Sequence, residues 1–265
     1  MIQIKSQAEI GLMRRAGVLV GETLELLREA VRPGVSTDEL DAIAEKHIRD
    51  GGGVPSFLGY HGFPKTICAS VNDEIVHGVP GPRVLRDGDI ISIDCGAILA
   101  GWHGDAAVTV GVGTVSETAS ELMRVTEESM WHGLAAARLG GRLTDISHAV
   151  ETYARSQGDY GIVEEYGGHG IGTEMHQEPH LLNYGRPGRG PTLRKGLALA
   201  VEPMLTTGSR HTRELDDGWT VSTVDGGLSA HFEHTVAVTE RGPWVLTALD
   251  GGAERLAALG VTAVS

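Results

Sequence analysis

Two apolar segments that follow one another in the chain each carry a single aspartate. Residues 90–96 read IISIDCG and residues 103–110 read HGDAAVTV, and both have the composition of buried β-strands. The loop between them contains Gly101, so an antiparallel hairpin is predicted. Burial of an unpaired carboxylate is costly, and Asp94 and Asp105 carry like charges. A divalent metal ion between them would neutralise both carboxylates. The alternative at each position is an aspartate that ends its strand and is exposed to solvent.

The bulk composition narrows the class of protein. The chain has 265 residues and a net charge of −13, which argues against non-specific binding to nucleic acid or to an anionic membrane. It contains two cysteines, Cys68 and Cys95, so no disulfide framework is implied. No apolar run approaches the roughly 18 residues that a membrane helix needs, and the first residues lack a signal core. We therefore expect a cytoplasmic, monomeric protein with one domain over residues 1–265.

Four amphipathic helices are predicted from apolar residues that recur every three or four positions. The first two begin at capping boxes, Ser6 with Glu9 and Ser36 with Glu39, and the third is expected to open at Thr118. The first helix ends before Pro33. The remaining helices are predicted at residues 36–50, 118–139 and 144–156.

Later apolar segments carry further acidic residues. Residues 197–205 are predicted to form one buried strand interrupted by Glu202, and residues 228–238 to form another that contains Glu233. Residues after Asp250 have no clear role and are expected to fray.

An internal duplication connects these segments. The order of a helix, a capped helix, a glycine loop, a histidine loop and a carboxylate strand occurs twice, in halves of about 6–115 and 116–249, with a tail at 250–265. We expect a pseudo-two-fold α/β (α+β) fold with one central antiparallel sheet backed by helices and with the carboxylates near the axis. The matched pairs, 108 residues apart for the first two and 128 for the third, are His61 with His169, Asp94 with Glu202, and Asp105 with Glu233.

Four carboxylates in apolar strands and one imidazole among glycines form a candidate metal centre. This donor set suits manganese, iron, cobalt or zinc and does not distinguish between them. Four negative charges exceed what one ion neutralises, so two ions about 3.5–4 Å apart with shared carboxylates are expected. His77 and His176 lie in glycine-flanked apolar contexts that suit contacts to a substrate carbonyl or amide. The candidate ligands are Asp94, Asp105, His169, Glu202 and Glu233.

Six segments, taken together, resemble those of type I methionine aminopeptidases. The resemblance covers about residues 6–249 in the expected order, and it implies the pita-bread fold. It also implies that the five candidate ligands bind two metal ions, with Asp105 and Glu233 bridging them. The chain lacks the zinc-finger extension and the long insertion of other relatives, so it resembles the short bacterial form. The segments are YHG at 60–62, IDCG at 93–96, HGD at 103–105, GGHGIG at 167–172, AVEPM at 200–204 and FEHT at 232–235.

The same resemblance implies the reaction and the roles of individual residues. The initiator methionine would be removed from nascent polypeptides whose second residue is small, through a metal-bridging hydroxide. Glu202 would shuttle the proton, His176 would stabilise the oxyanion, and His77 would contact the scissile amide. The partner would be the N-terminus of a nascent polypeptide, and a contact with the ribosome is left open. The methionine pocket would be lined by Tyr60, Phe63, Cys68, His77, Met175 and Trp219.

Two positions depart from the family pattern, and four other residues are expected to have structural or supporting roles. Phe63 and Met175 stand where many relatives have tyrosine and phenylalanine, and both keep an apolar wall while leaving substrate preference open. Cys95 is expected to face the core. We expect supporting or structural roles for three further histidines, which are His61, His103 and His231.

Two other functions remain open from the sequence. A proline-specific relative of the same fold, such as a prolidase or aminopeptidase P, usually carries an additional N-terminal domain, for which the first helix at about residue 6 leaves no room. A catalytically inactive binding protein with this fold would be expected to lose metal ligands, whereas this chain keeps all five and both histidines.

Overall fold

The computed structural model describes residues 2–262 and residue 264. Its helices are α1 (Gln7–Ala30), α2 (Thr37–Asp50), α3 (Glu117–Ala136), α4 (Leu143–Gln157) and α5 (Ala253–Ala258), with a 3₁₀ turn at Tyr60–Gly62. Its strands are β1 (Val54–Pro55), β2 (Ile67–Val71), β3 (Glu74–Val76), β4 (Ile90–Leu99), β5 (Trp102–Gly111), β6 (Gly161–Ile162), β7 (Gly168–Gly170), β8 (Gln177–Leu181), β9 (Ala198–Val201), β10 (Met204–Thr206), β11 (Thr212–Glu214), β12 (Val221–Thr223), β13 (Ser229–His231), β14 (Glu233–Thr239) and β15 (Gly242–Val245). No helix among these residues is long and apolar enough to cross a membrane.

The predicted helix starts are confirmed for α1 and α2 and wrong for α3. The Ser6 hydroxyl accepts a hydrogen bond from the amide of Glu9, and the Glu9 carboxylate accepts one from the amide of Ser6; α2 repeats this capping box. Helix α3 is capped by Ser116, whose hydroxyl accepts from the amide of Ala119 at 3.1 Å. Ser116 has the extended backbone that a cap requires, whereas Thr118 already lies inside the first turn.

Within the described residues the central sheet has nine strands, and every pair in it is antiparallel. Its order is β1-β4-β5-β14-β9-β7-β8, with β2 also paired to β4 and β15 to β14. This confirms the predicted hairpin of β4 and β5 and the predicted mixed α/β architecture with one antiparallel sheet. Helix α1 packs closely on β5. A Cβ atom added to Gly104 of β5 would lie 2.8 Å from the backbone nitrogen of Gly17 of α1, so only glycine at position 104 allows this approach.

Both predicted long strands of the second half are broken at the same level of the fold. The segment predicted at 197–205 divides into β9 and β10 on either side of Glu202 and Pro203, and the segment predicted at 228–238 divides into β13 and β14 at Phe232. Strands β9 and β14 pair in the central sheet, whereas β10 and β13 pair in a separate three-stranded sheet. Proline has no amide hydrogen, so Pro203 cannot continue the ladder as a donor.

The register corrects one matched pair of the predicted duplication. Strand β4 pairs with β2, Ser70 lying opposite Ser92, and strand β9 pairs with β7, His169 lying opposite Ala200. The offset of 108 residues carries Ser92 onto Ala200, so Ser70 occupies the position that corresponds to His169. His61 instead lies in the 3₁₀ turn, outside the sheet.

The C-terminal segment is ordered where the structure describes it, which corrects the expectation of fraying. Helix α5 buries Leu256 completely, and the Arg255 guanidinium donates a hydrogen bond to the Glu128 carboxylate on α3 at 2.8 Å. The burial of Leu256 and the ion pair of Arg255 with Glu128 on α3 therefore hold this segment in place, and the local sequence pattern does not reveal this partner helix. The predicted tail also includes residues 263 and 265, which lie outside the described residues.

Candidate metal centre

Four of the five predicted ligands lie on neighbouring strands of the central sheet, and the fifth, Glu202, directly follows the neighbouring strand β9. Asp94 on β4 lies opposite Ala107 of β5, and Ala107 lies opposite Glu233 of β14. Asp105 is two residues before Ala107, so it points to the same face of the sheet. His169 on β7 pairs with Ala200 of β9, two residues before Glu202. The tertiary structure therefore brings together all five residues, which are Asp94, Asp105, His169, Glu202 and Glu233.

The imidazole of His169 lies among the carboxylates. Its Nε2 atom is 3.7 Å from Oδ2 of Asp105 and 3.5 Å from Oε1 of Glu202. Ligand atoms of Asp105, His169 and Glu233 all lie within 4.8 Å of one another. The Nδ1 atom of His169 is 3.0 Å from the carbonyl oxygen of Gly170, which can only accept. Nδ1 therefore carries the proton, and Nε2 offers its lone pair to a metal ion.

Burial and mutual repulsion raise the pKa values of the carboxylates. Burial raises the pKa of Asp94 to about 7 and that of Glu202 to about 8. Burial, with repulsion from neighbouring carboxylates, also raises the pKa values of Asp105 and Glu233. Three buried carboxylate oxygens have no hydrogen-bond partner among the described residues, and they are Oδ1 of Asp94, Oδ1 of Asp105 and Oε1 of Glu233. Unpartnered acceptors beside a free imidazole nitrogen are the environment that divalent cations fit.

Glycines on both sides of His169 allow its strand to approach its neighbours. A Cβ atom on Gly168 would lie 2.2 Å from the carbonyl oxygen of Ala200, and one on Gly170 would lie 2.2 Å from that of Glu178. Real Cβ atoms do not approach backbone oxygens so closely. The glycines therefore set the depth at which β7 carries His169 into the site.

A cavity of about 520 Å³ opens above the carboxylates. Part of its wall is aromatic, with the rings of Phe63 and Trp219 packed edge to face at 5.2 Å between centroids. The amide of Trp219 donates to the Asp217 carboxylate, which fixes the loop that carries this ring. Five of the six residues predicted for the methionine pocket line the cavity, and they are Tyr60, Phe63, Cys68, His77 and Trp219.

Met175, the sixth predicted pocket residue, is not among those that line the cavity. Its side chain is 1% exposed and belongs to an apolar cluster that includes Phe57. Its methyl carbon packs over Gly96, where a Cβ atom would lie 2.9 Å away. Because Gly96 has no side chain, the methyl group of Met175 can occupy the space next to it, and Met175 packs in the core and not on the cavity surface.

Two further histidines that were predicted to contact substrate face the cavity. The ring of His176 lies 4.4 Å from that of His169 between centroids, and its Nδ1 atom is 2.8 Å from the hydroxyl of Tyr60. Burial lowers the pKa of His176, and it lowers the pKa of His77 to about 4. His77 has a φ of 60° and packs edge to face on Tyr166. Both imidazoles are therefore neutral at neutral pH. Each ring can donate one hydrogen bond from one nitrogen and accept one at the other nitrogen.

The structure adds cavity residues that the sequence prediction missed. Phe57, Tyr166 and His180 line the cavity. His180 lies opposite His169 across the β7–β8 pair, and only the register reveals this neighbour. Tyr166 lies beside the GGHGIG segment and is packed on His77, so its proximity to a predicted motif was the available signal.

The fold and the carboxylate–histidine site together define a metallopeptidase: residues 11–240 match the family model described as metallopeptidase family M24. Proteins named methionine aminopeptidase are similar over nearly the whole chain. One from Clostridium perfringens is 53% identical over 247 residues, covering 93% of this chain and 99% of that protein. One from Mycobacterium tuberculosis, named methionine aminopeptidase 1, is 54% identical over 252 residues, covering 92% and 94%. A crystal structure of the Thermotoga maritima methionine aminopeptidase matches with a TM-score of 0.92 at 41% identity, covering 94% of this chain and all of that chain. The chain therefore belongs to the methionine aminopeptidases of metallopeptidase family M24, as its resemblance to the type I enzymes predicted.

Proposed function

We propose that this protein removes the N-terminal methionine from polypeptides whose second residue is small. One observation carries the proposal: four carboxylates, two of them on buried residues, and the free Nε2 atom of His169 line the same cavity as a cluster of aromatic rings. Such a cavity offers both hydrolytic chemistry and an apolar side-chain pocket. The similarity to enzymes named methionine aminopeptidase supports the same assignment.

Two divalent ions are the proposed complement of this site. The residues that would hold them are Asp94, Asp105, His169, Glu202 and Glu233. Two ions balance four carboxylates, whereas a single ion leaves two negative charges buried. Bound ions of this kind supply a water of lowered pKa and positive charge for the transition state. The donor set suits manganese, iron, cobalt and zinc alike.

Glu202 and His176 have complementary roles in proton and charge transfer. Glu202 takes the proton of the attacking water and passes it to the departing amine. His176 donates from Nε2 to the carbonyl oxygen of the scissile bond, where negative charge develops. This requires a proton on Nε2, so Nδ1 is the acceptor and the Tyr60 hydroxyl donates to it across 2.8 Å. His77, on the same cavity, is assigned to the scissile amide.

The aromatic wall is the proposed pocket for the methionine side chain. Tyr60, Phe63 and Trp219 present ring faces and edges, and Cys68 adds a small polarizable group. Thioether sulfur gains from contacts with aromatic rings, so this wall favours methionine over an aliphatic side chain of similar size. The physiological partner is proposed to be the N-terminus of a nascent polypeptide in the cytoplasm, and a contact with the ribosome and a monomeric state remain predictions.

Methionine release from the peptide Met-Ala-Ser tests the proposal. Protein stripped with a chelator should be inactive, and manganese, cobalt or iron(II) should restore methionine release. Titration of the restoring metal by calorimetry should give about two bound ions. Inactivity with every metal, in protein shown to be folded, contradicts the proposal. Faster cleavage of peptides with proline in second position would assign the proline-specific activity instead.

A further inference from the structure

The carboxylate of Glu202 lies between two imidazoles. Its Oε1 atom is 3.5 Å from Nε2 of His169, and its Oε2 atom is 3.4 Å from Nε2 of His231. His231 is 1% exposed, and its Nε2 atom has no hydrogen-bond partner among the residues that the structure describes. Leaving a buried donor or acceptor unpaired costs about 1–3 kcal/mol. A second buried histidine therefore faces the oxygen of Glu202 that His169 does not face.

The shared strand break brings these two side chains together. His231 is the last residue of β13, and Glu202 is the residue that follows β9. His231 lies opposite Met204 in the β10–β13 pair, so it reaches the central sheet at the level where both strands change sheets.

The backbone of His231 is fixed by the strands that carry Asp94 and Asp105. Its amide donates to the Thr109 hydroxyl at 2.9 Å, and that hydroxyl donates to the His231 carbonyl oxygen at 2.8 Å. The Ser92 hydroxyl lies 2.9 Å from Oγ1 of Thr109 and completes the network as a donor. Thr109 is on β5 and Ser92 is on β4. A histidine clamped at both backbone atoms is held in a defined place relative to the carboxylates.

We propose that His231 is a positioning residue that donates from Nε2 to Oε2 of Glu202 and holds this carboxylate in the orientation that proton transfer requires. The proposal rests on the proposed function of Glu202. The separation of 3.4 Å is slightly longer than an ordinary N–H···O bond, and catalytic hydrogen bonds commonly tighten only when substrate is bound. The competing role is that of a further nitrogen ligand, because Glu202, His231 and Glu233 also form a group with metal-binding spacing.

A pair of substitutions separates positioning from packing. In His231→Leu, kcat for Met-Ala-Ser should fall by about tenfold or more while KM changes little, because the lost bond acts on Glu202 and not on substrate binding. His231→Gln retains an N–H donor and should recover most of that loss. The matched control is His47→Leu. His47 lies on α2, outside the cavity, and its ring is hydrogen-bonded to Thr23 of α1, so this substitution should leave kcat unchanged. Equal kcat in wild type and His231→Leu overturns the proposal, whereas an inactive wild type refutes the proposed function instead.

Two readouts that do not depend on turnover complete the test. Calorimetric titration of His231→Leu with manganese should give the same number of bound ions as the wild type. In zinc-loaded wild type labelled with ¹⁵N-histidine, the resonances that disappear in His231→Gln should show a proton on Nε2. An Nε2 atom without a proton would overturn the positioning role, and the loss of a bound ion in His231→Leu would overturn it by making His231 a metal ligand.

Discussion

The hydroxyl of Tyr60 lies 2.8 Å from Nδ1 of His176 and joins the aromatic wall of the cavity to the histidines beside the carboxylates. Tyr60 begins the 3₁₀ turn, whose second residue, His61, has a φ of 48°. The two rings are 5.4 Å apart between centroids, and His176 in turn packs on His169. One hydrogen bond therefore sets the tautomer and the orientation of the proposed oxyanion donor.

Tyr60→Phe should lower kcat for methionine release about fivefold. The substitution removes the hydroxyl that fixes His176, and the net free energy of such a bond is about 1 kcal/mol. Steady-state kinetics on Met-Ala-Ser measures the effect, and Tyr166→Phe serves for comparison because it removes a hydroxyl from the same cavity without a bond to His176. A larger loss in Tyr166→Phe would contradict this role for Tyr60.

Glu202→Gln should keep the fold and lose most of the turnover. The carboxamide is similar in shape, but it cannot accept a proton from water and hand it to the departing amine. Thermal unfolding should show a folded protein, since the burial of an unneutralised carboxylate is relieved. Wild-type turnover in this variant would remove Glu202 from the proton-transfer role.

His176→Ala should reduce transition-state stabilisation by about 2.7–4 kcal/mol, which corresponds to a loss of roughly 10²–10³ in kcat. The reason is that His176 supplies a donor to an oxygen that becomes negative only during the reaction. Separate determination of kcat and KM checks the assignment. A change confined to KM would make His176 a substrate-binding residue and not an oxyanion donor.

Gly168→Ala should destabilise the protein by about 1–3 kcal/mol and weaken metal binding. Its Cβ atom would lie 2.2 Å from the carbonyl oxygen of Ala200, so β7 would have to move away from β9 and take His169 with it. Urea unfolding and calorimetric metal titration measure the two effects. Gly11→Ala on α1, where a Cβ atom would meet no atom of the described residues within 4 Å, is the matched control and should not destabilise. Unaltered metal affinity in Gly168→Ala would show that the close approach of β7 to β9 is not needed to place His169 for metal binding.

The metal-free protein should lose stability between about pH 7 and about pH 8. The folded-state pKa values of Asp94 and Glu202 are raised to about 7 and about 8, so in this range the folded protein binds more protons than the unfolded chain. The free energy of unfolding therefore falls as the pH rises, the reverse of the usual carboxylate effect. The lower limit lies above the ordinary histidine pKa of about 6.5, below which the unfolded chain takes up protons at histidines that burial keeps neutral in the folded protein.

Saturating manganese should reverse this trend, because bound cations favour the deprotonated carboxylates and bind more tightly as the pH rises. Urea unfolding curves at both pH values, with chelator and with manganese, measure the difference. Stability that rises with pH in the presence of chelator would contradict the raised pKa values.

The sequence alone determined the helix starts of α1 and α2, the hairpin of β4 and β5, and the identity of the metal-centre candidates. These features are local or compositional: a capping box satisfies amide groups within one turn, and a carboxylate in an apolar strand requires a positive partner wherever the strand is placed. The joint order of the histidine and carboxylate segments also identified the family that the comparisons then confirmed.

Only the tertiary structure decided the break at Glu202 and Pro203, the burial of Met175 behind Gly96, and the contact between Glu202 and His231. The segment 197–205 is predicted as one strand despite Glu202 and Pro203, and its division follows from the two different sheets that β9 and β10 join. The histidine that faces Glu202 comes from β13, 29 residues away, because paired strands cross between the sheets at the same level. Spacing along a chain specifies which side chains share a strand face, but the sheet register specifies which of them meet across strands.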